Sequence, residues 1–205
     1  SRGAKVLAKD VNGKCVGVEK KLGKGTVRFF GFFLQYSIEE HPSLWSAMMQ
    51  LPQVERNVWA DDDSLQLEVR HADGEGLLFA GNFHRMARTS RIKAKNPRGG
   101  EPIDLGKVTV EAVTGVFMPL QADVAPGLTL VYALGELLDR KAIKGGARFG
   151  LRGHQNTTGR LALRSKKPVT AITVDGVPTR LHRNGQLYTA EYPQNGKRQV
   201  VEVKS

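Results

Sequence analysis

The chain has 205 residues, with 31 Lys+Arg against 20 Asp+Glu, a formal net charge of +11 and a sequence pI near 10.0. Hydrophobic residues make up 40% and charged residues 25%, ordinary globular proportions that exclude wholesale disorder. A single Cys closes no internal disulfide and builds no Cys-based zinc site, and no apolar run approaches the ~20 residues of a helical membrane span.

The chain opens Ser1-Arg2-Gly3, without an initiator Met. That start reads either as a processing scar or as a piece cut from a longer polypeptide. The first zone, residues 1–52, holds three β-like runs, at Lys5–Lys9, Cys15–Glu19 and Thr26–Phe33. Turn chemistry separates them, at Asp10–Gly13 and Lys20–Gly25. Pro42, preceded by Glu39 and Glu40, then signals a helix start. Leu44, Ala47, Met48 and Leu51 share one face of that predicted helix. Three strands and a helix are too few for a domain, so this zone reads as the tail of an incomplete α/β layer.

In the second zone, residues 53–151, Leu65, Leu67 and Val69 alternate with polar residues, a period-two strand. A turn at Ala72–Gly76 returns the chain through Leu77–Phe83. Further β-like runs cover Thr89–Lys95, Lys107–Val113 and Leu128–Leu134, and Asn96–Gly106 reads as a Pro/Gly-rich loop. The third zone, residues 152–205, is short strands and tight turns. Gly159–Arg164 alternates, Val169–Val174 ends at Asp175-Gly176, Leu181–Tyr188 forms a hairpin through Asn184-Gly185, and Gln199–Val203 is the last strand. No helical pattern alternates with these strands, which argues against a parallel βαβ sheet. The predicted fold class is therefore mainly β: antiparallel β-sandwich domains preceded by an incomplete α/β segment.

The basic surplus sits in the first fifty residues and after residue 151, while the middle of the chain balances. A pI this high is the footprint of nucleic-acid binding. However, Arg160, Arg164, Lys166, Lys167, Arg180, Arg183, Lys197 and Arg198 are scattered over strand ends and turns. No helix-turn-helix pair and no aromatic RNA-binding motif accompanies them. A solvated basic surface is the preferred reading, and nucleic acid is disfavoured as a partner.

No catalytic constellation emerges. His41, His71, His84, His154 and His182 lack metal-ligand spacing, and His84 reads as a surface residue. Asp61-Asp62-Asp63 reads as a solvated turn, since neighbouring residues of an extended chain point apart. Cys15 reads as a buried, inert thiol. No phosphate loop, dinucleotide fingerprint or nucleophile elbow is present, so no cofactor, metal or catalytic residue is assigned. The binding candidates are Trp59, Tyr188 and Tyr192, aromatic rings in polar or turn contexts suited to stacking on a sugar.

Two stretches carry a resemblance. Ala4–Ala8, Gly13–Val18 and Leu22-Gly23-Lys24-Gly25-Thr26-Val27-Arg28-Phe29-Phe30-Gly31-Phe32 resemble the end of the non-catalytic amidotransferase-like domain of β-galactosidase-like glycoside hydrolases. Leu65–Arg70 with Gly76–Phe83, and Gly115–Leu120 with Gly127–Glu136, are similar to hairpins of the C-terminal β-domains of those enzymes. Such enzymes carry their catalytic carboxylates on a (β/α)₈ barrel, for which ~250 residues are needed, so no catalytic residue transfers. The resemblance implies a non-catalytic accessory region that packs on a missing catalytic barrel of the same chain, helps assemble a homo-oligomer, or binds carbohydrate weakly. A basic nucleic-acid-binding protein and a freestanding interaction domain are the alternatives.

Overall fold

The computed structural model describes residues 3–31, 56–62 and 64–205. The helix expected after Pro42, together with His41, Phe32 and Phe33, lies outside them. Every regular element among the described residues is a strand, and all their pairings are antiparallel. The mainly-β class is what the alternating runs dictate. By contacts the chain divides into two units, Ser1–Glu40 and His41–Ser205.

The first unit contains a meander of β1 (Lys5–Lys9), β2 (Cys15–Leu22) and β3 (Gly25–Phe30). Its first turn is built by Asp10, whose carboxylate accepts from the N–H groups of Asn12 and Lys14 at 2.9 and 2.8 Å. Gly17 has a steric purpose: a Cβ there would meet the Phe30 ring at 2.8 Å, so only glycine lets that ring lie across β2. Arg28 and Glu19 pair across β2 and β3 at 2.7 Å. Cys15 is exposed, in place of the buried thiol expected from its apolar neighbours.

The second unit is built of three sheets. The largest has seven strands, in the order β16 (Leu181–Asn184), β17 (Leu187–Pro193), β13 (Thr158–Ser165), β10 (Leu128–Ala133), β9 (Thr114–Ala125), β6 (Glu75–Asn82) and β5 (Gln66–Ala72). A five-stranded sheet runs β11 (Glu136–Ile143), β12 (Gly146–Arg152), β18 (Gln199–Lys204), β14 (Ala171–Val174) and β15 (Val177–Pro178). A three-stranded sheet runs β4 (Val58–Ala60), β7 (Arg88–Ala94) and β8 (Ile103–Val110). No boundary falls between residues 151 and 152: β13 and β17 extend the sheet begun by β5 and β6, and β18 pairs with β12.

Alternation along the large sheet feeds two cores. Leu161, Leu163, Leu130, Tyr188, Ala190 and Tyr192 point to one face, where Phe149, Leu151, Ile172, Val201 and Val203 of the five-stranded sheet cover them. Ala162, Val131, Tyr132, Leu78, Ala80, Met118 and Leu120 point to the other, where Ile92, Leu105, Val108 and Val110 of the three-stranded sheet cover them. The large sheet is thus the middle layer of three. Gln121 switches the alternation of β9. Its φ of 56° is left-handed, and Leu120 faces one core while Ala122 and Val124 face the other. The kink is held from outside: Arg98 donates to the Gln121 carbonyl at 2.8 Å and to the Gly74 carbonyl at 3.1 Å.

Through β11 the five-stranded sheet covers the Ala122–Val124 end of β9 and reaches Glu75 at the start of β6 with Arg140, but it stops short of Phe79 and Phe117 on the β5–β6–β9 flank. There Leu77 and Phe79, with Phe117 and Pro119 opposite them across the pairing, lie on the face away from Leu78, Ala80, Val116 and Met118. Phe79 and Phe117 pack ring to ring, with centroids 5.0 Å apart and planes tilted by 43°. Gly115 makes room for them, since a Cβ there would meet the Phe79 ring at 2.5 Å. Phe117 remains 44% exposed and Leu77 42%, and Phe83 and Val113 extend the exposed apolar surface at the far end of the hairpin. At the near end a groove lined by Leu77, Pro119, Leu137, Leu138 and Arg140 marks the step to β11.

Candidate functional site

The three aromatic residues singled out from sequence part company. Tyr188 and Tyr192 project from β17 on the same side as Ala190, into the core against the five-stranded sheet, and each is only 3% exposed. Burial pushes the Tyr192 phenol up to about 12. The Arg183 guanidinium lies 5.7 Å from the centroid of the Tyr188 ring. Neither ring is presented to a sugar, which corrects the expectation drawn from their polar neighbours. The period-two series Tyr188, Ala190, Tyr192, set against Leu187, Thr189 and Glu191, was the signal that these rings belong to a core.

Trp59 is different. It sits on β4, the edge of the three-stranded sheet, and is 37% exposed. That sheet sends Ile92, Ala94, Leu105, Val108 and Val110 inward. Its other face carries Thr89, Arg91, Lys93, Asp104, Lys107 and Thr109. Trp59 pairs with Lys93, and Lys93 with Asp104. Trp59, Asp61, Arg91, Lys93 and Pro102 line a shallow cleft of about 380 Å³. Arg91 is fixed in it by Asp104, with Nη2 2.5 Å from Oδ2 and Nε 3.3 Å from Oδ1. The Asp104 carboxylate also accepts from the Gly106 N–H at 2.8 Å. The Arg91 hydrogen bonds hold the Asp104 carboxyl below the ordinary carboxylate range, so it is ionised at neutral pH. One strand-step on, the hydroxyls of Thr89 and Thr109 meet at 2.8 Å.

A second cavity, of about 290 Å³, has a floor of Val108, Val116, Met118 and Leu134 and a polar rim that includes His154, Asn156 and Thr157. The rim is internally braced. The Thr157 hydroxyl donates to the His154 carbonyl or the Gln194 side-chain oxygen, at 2.8 and 2.7 Å, and the Gln194 amide donates to the Leu134 carbonyl. These contacts shape a loop, and nothing in them selects a chemistry.

His71 and His182 are exposed, as their strand-end positions imply, but His84 is not the surface residue expected. It is buried behind Asn82, whose carbonyl oxygen accepts from the His84 N–H at 3.0 Å. The Asn82 amide also donates to the Met86, Val110 and Glu111 carbonyls, so this pair builds a corner. Asp62 accepts from the Ser64 N–H at 2.9 Å and Asp61 lies at the Trp59 cleft, while Asp63 is outside the described residues. The arginines are largely neutralised in place: Arg70 pairs with Glu68, Arg98 with Asp123, Arg140 with Glu75, Arg148 with Glu202, Arg152 with Glu136 and Arg198 with Asp139. Among the described residues Arg164, Arg180 and Arg183 make no salt bridge, so the positive surplus is shared by dispersed arginines and lysines.

No family model matches the chain. A stretch of 86 residues, 42% of the chain, is 28% identical to a β-1,2-glucosyltransferase from Ignavibacterium album. The matched stretch amounts to 12% of the length of that protein. The similarity relates the chain to a carbohydrate-active enzyme, without pointing to β-galactosidases in particular.

Proposed function

We propose that this chain is a non-catalytic accessory region of a longer carbohydrate-active enzyme, and that the bare β5–β6–β9 flank packs against the catalytic barrel of the same polypeptide. The observation that carries the reading is the flank itself. A sheet face left to water alternates apolar-in and polar-out. Here the outward positions of β6 and β9 are apolar instead: Leu77 and Phe117 are exposed and Phe79 is half-buried, with Pro119 buried at one end and Phe83 and Val113 exposed at the other. A contiguous apolar face of this kind marks an interaction surface. The polar side chains Gln66, Glu68 and Arg70 of β5 rim it, as at interfaces with an apolar centre. The similarity to a glucosyltransferase several times longer than the matched stretch supports a large neighbour.

The test is reconstitution. The chain and the remainder of the parent polypeptide are expressed as separate chains and mixed. The expected result is a complex that survives gel filtration and is lost in the Phe79→Ser/Phe117→Ser double variant. A complex indifferent to that variant places the interface elsewhere and overturns the reading. So does self-association of the chain alone through the flank that persists in the presence of the remainder, since a second copy would then be the occupant.

A further inference from the structure

The outer face of the three-stranded sheet is arranged as cross-strand rows. Trp59, Lys93 and Asp104 form the first, Asp61, Arg91 and Lys107 the second, and Thr89 and Thr109 the third. From Lys93 to Thr89 the rows span ~14 Å at ~3.4 Å per residue, the length of two to three pyranose rings. We infer that this face binds an acidic glycan, with one pyranose ring stacked on Trp59 and a ring carboxylate held by Lys93 and Lys107. The inference deepens the carbohydrate part of the proposed function.

Three observations carry it. Trp59 contributes nothing to either core, yet it is the one large apolar side chain on an otherwise hydrophilic face. An aromatic ring in that setting offers its flat surface to the C–H face of a sugar, while its polar neighbours serve the hydroxyls. The neighbours are preset: Arg91 and Asp104 are locked together, and the Thr89–Thr109 pair offers two hydroxyls further along. The third observation is charge. Arg91 is ion-paired with Asp104, Lys93 also feels that carboxylate across the strands and Asp61 lines the cleft, but among the described residues neither Lys93 nor Lys107 makes a salt bridge, so the three cations outnumber the two carboxylates on this face. Lys93 stands directly across from Trp59, so its ammonium reaches the rim of a ring stacked there, where a uronic acid carries its carboxylate.

The experiment is calorimetric titration of the 205-residue chain with trigalacturonate. Maltotriose serves as the neutral sugar and polyglutamate as the sugar-free polyanion. We expect trigalacturonate to bind, with affinity falling as salt rises. Trp59→Ala should cost at least tenfold and Lys93→Gln about fivefold, whereas Trp59→Phe should keep most of the binding. Polyglutamate binding should not respond to Trp59→Ala. Unchanged melting confirms that each variant is folded, and Trp59→Phe with Lys93→Gln decide the matter should Trp59→Ala unfold. Equal binding of maltotriose, indifference to both Trp59→Phe and Lys93→Gln with Trp59→Ala also silent, or no binding of trigalacturonate overturns the inference. None of these outcomes touches the flank-dependent complex, so the two readings fail separately.

Discussion

Two exposed sheet faces of the second unit have opposite chemistry. The β5–β6–β9 flank presents Leu77, Phe117 and the half-buried Phe79, and its polar groups stand at the rim. The outer face of β4–β7–β8 presents threonines, lysines and a locked Arg–Asp pair around a single Trp. Water is a poor partner for the first and a good one for the second. The first face therefore suits a dry, protein-like neighbour. The second suits a ligand that is itself hydrated and exchanges hydroxyls for water. Exposure alone does not distinguish them, since Trp59 and Phe117 are similarly accessible; what surrounds each ring does.

The contrast is sharpened first against the covered part of the large sheet. Tyr192→Ala, in the core, should destabilise the chain by ~3–5 kcal/mol in a denaturant titration, whereas Trp59→Ala should fall within ~0.5 kcal/mol. Comparable losses would mean that Trp59 is structural. Alkaline pH probes the same core. The Tyr192 phenol is raised by burial to about 12 from an ordinary 10.0, so its folded form holds the proton longer than the unfolded chain does. Its contribution is complete below about pH 10 and is lost as pH rises toward 12, up to ~3 kcal/mol. Phenolate absorbance should show this group titrating late and together with unfolding; early ionisation in the folded chain would contradict its burial.

On the flank, Phe79→Ser/Phe117→Ser should lower the fluorescence of a bound apolar dye several-fold while shifting the melting point little. No change in dye binding would mean that the aromatic pair does not form the sticky surface. The smallest effect belongs to Asp104→Asn on the hydrophilic face. Because the Asp104 carboxyl is depressed by Arg91, any stability it contributes is present above about pH 4 and disappears as pH falls through its folded value. The variant and the parent should therefore differ slightly at pH 7 and converge in acid. A gap that persists at pH 2 would assign the effect to packing.

Much of the architecture was legible in the residues. Asp73-Gly74 and Asp175-Gly176 both take positive φ at both turn positions, the tight hairpins those dipeptides announce. The Asn184-Gly185 hairpin is displaced by one: Asn184 pairs with Leu187, so Gly185 and Gln186 make the turn. β11 was missed because Glu136-Leu137-Leu138-Asp139-Arg140 has no period-two pattern and lies at a sheet edge, with one row of contacts to satisfy, whereas β12 carries a clear alternation of Ala147, Phe149 and Leu151 that was overlooked. The switch of faces in β9 was also invisible, since it depends on Gln121 adopting a conformation that Arg98, far along the chain, holds in place. Strands on either side of residue 151 pair with one another, and local composition does not report this because strand pairing across sheets is non-local. For the binding candidates, turn residues near Tyr188 and Tyr192 outweighed their alternation, whereas Trp59 kept its accessible setting because β4 is a short edge strand.

The position of β18 has a consequence for how the protein is made. Its residues, Gln199–Lys204, form the central strand of the five-stranded sheet, hydrogen-bonded to β12 on one side and β14 on the other. During vectorial synthesis β12 and β14 leave the ribosome with no partner between them, and the core that holds Phe149 and Ile172 stays open until residue 204 has emerged. Any chain interrupted before Gln199 therefore leaves β12 and β14 each with one open edge, ready to pair with another copy.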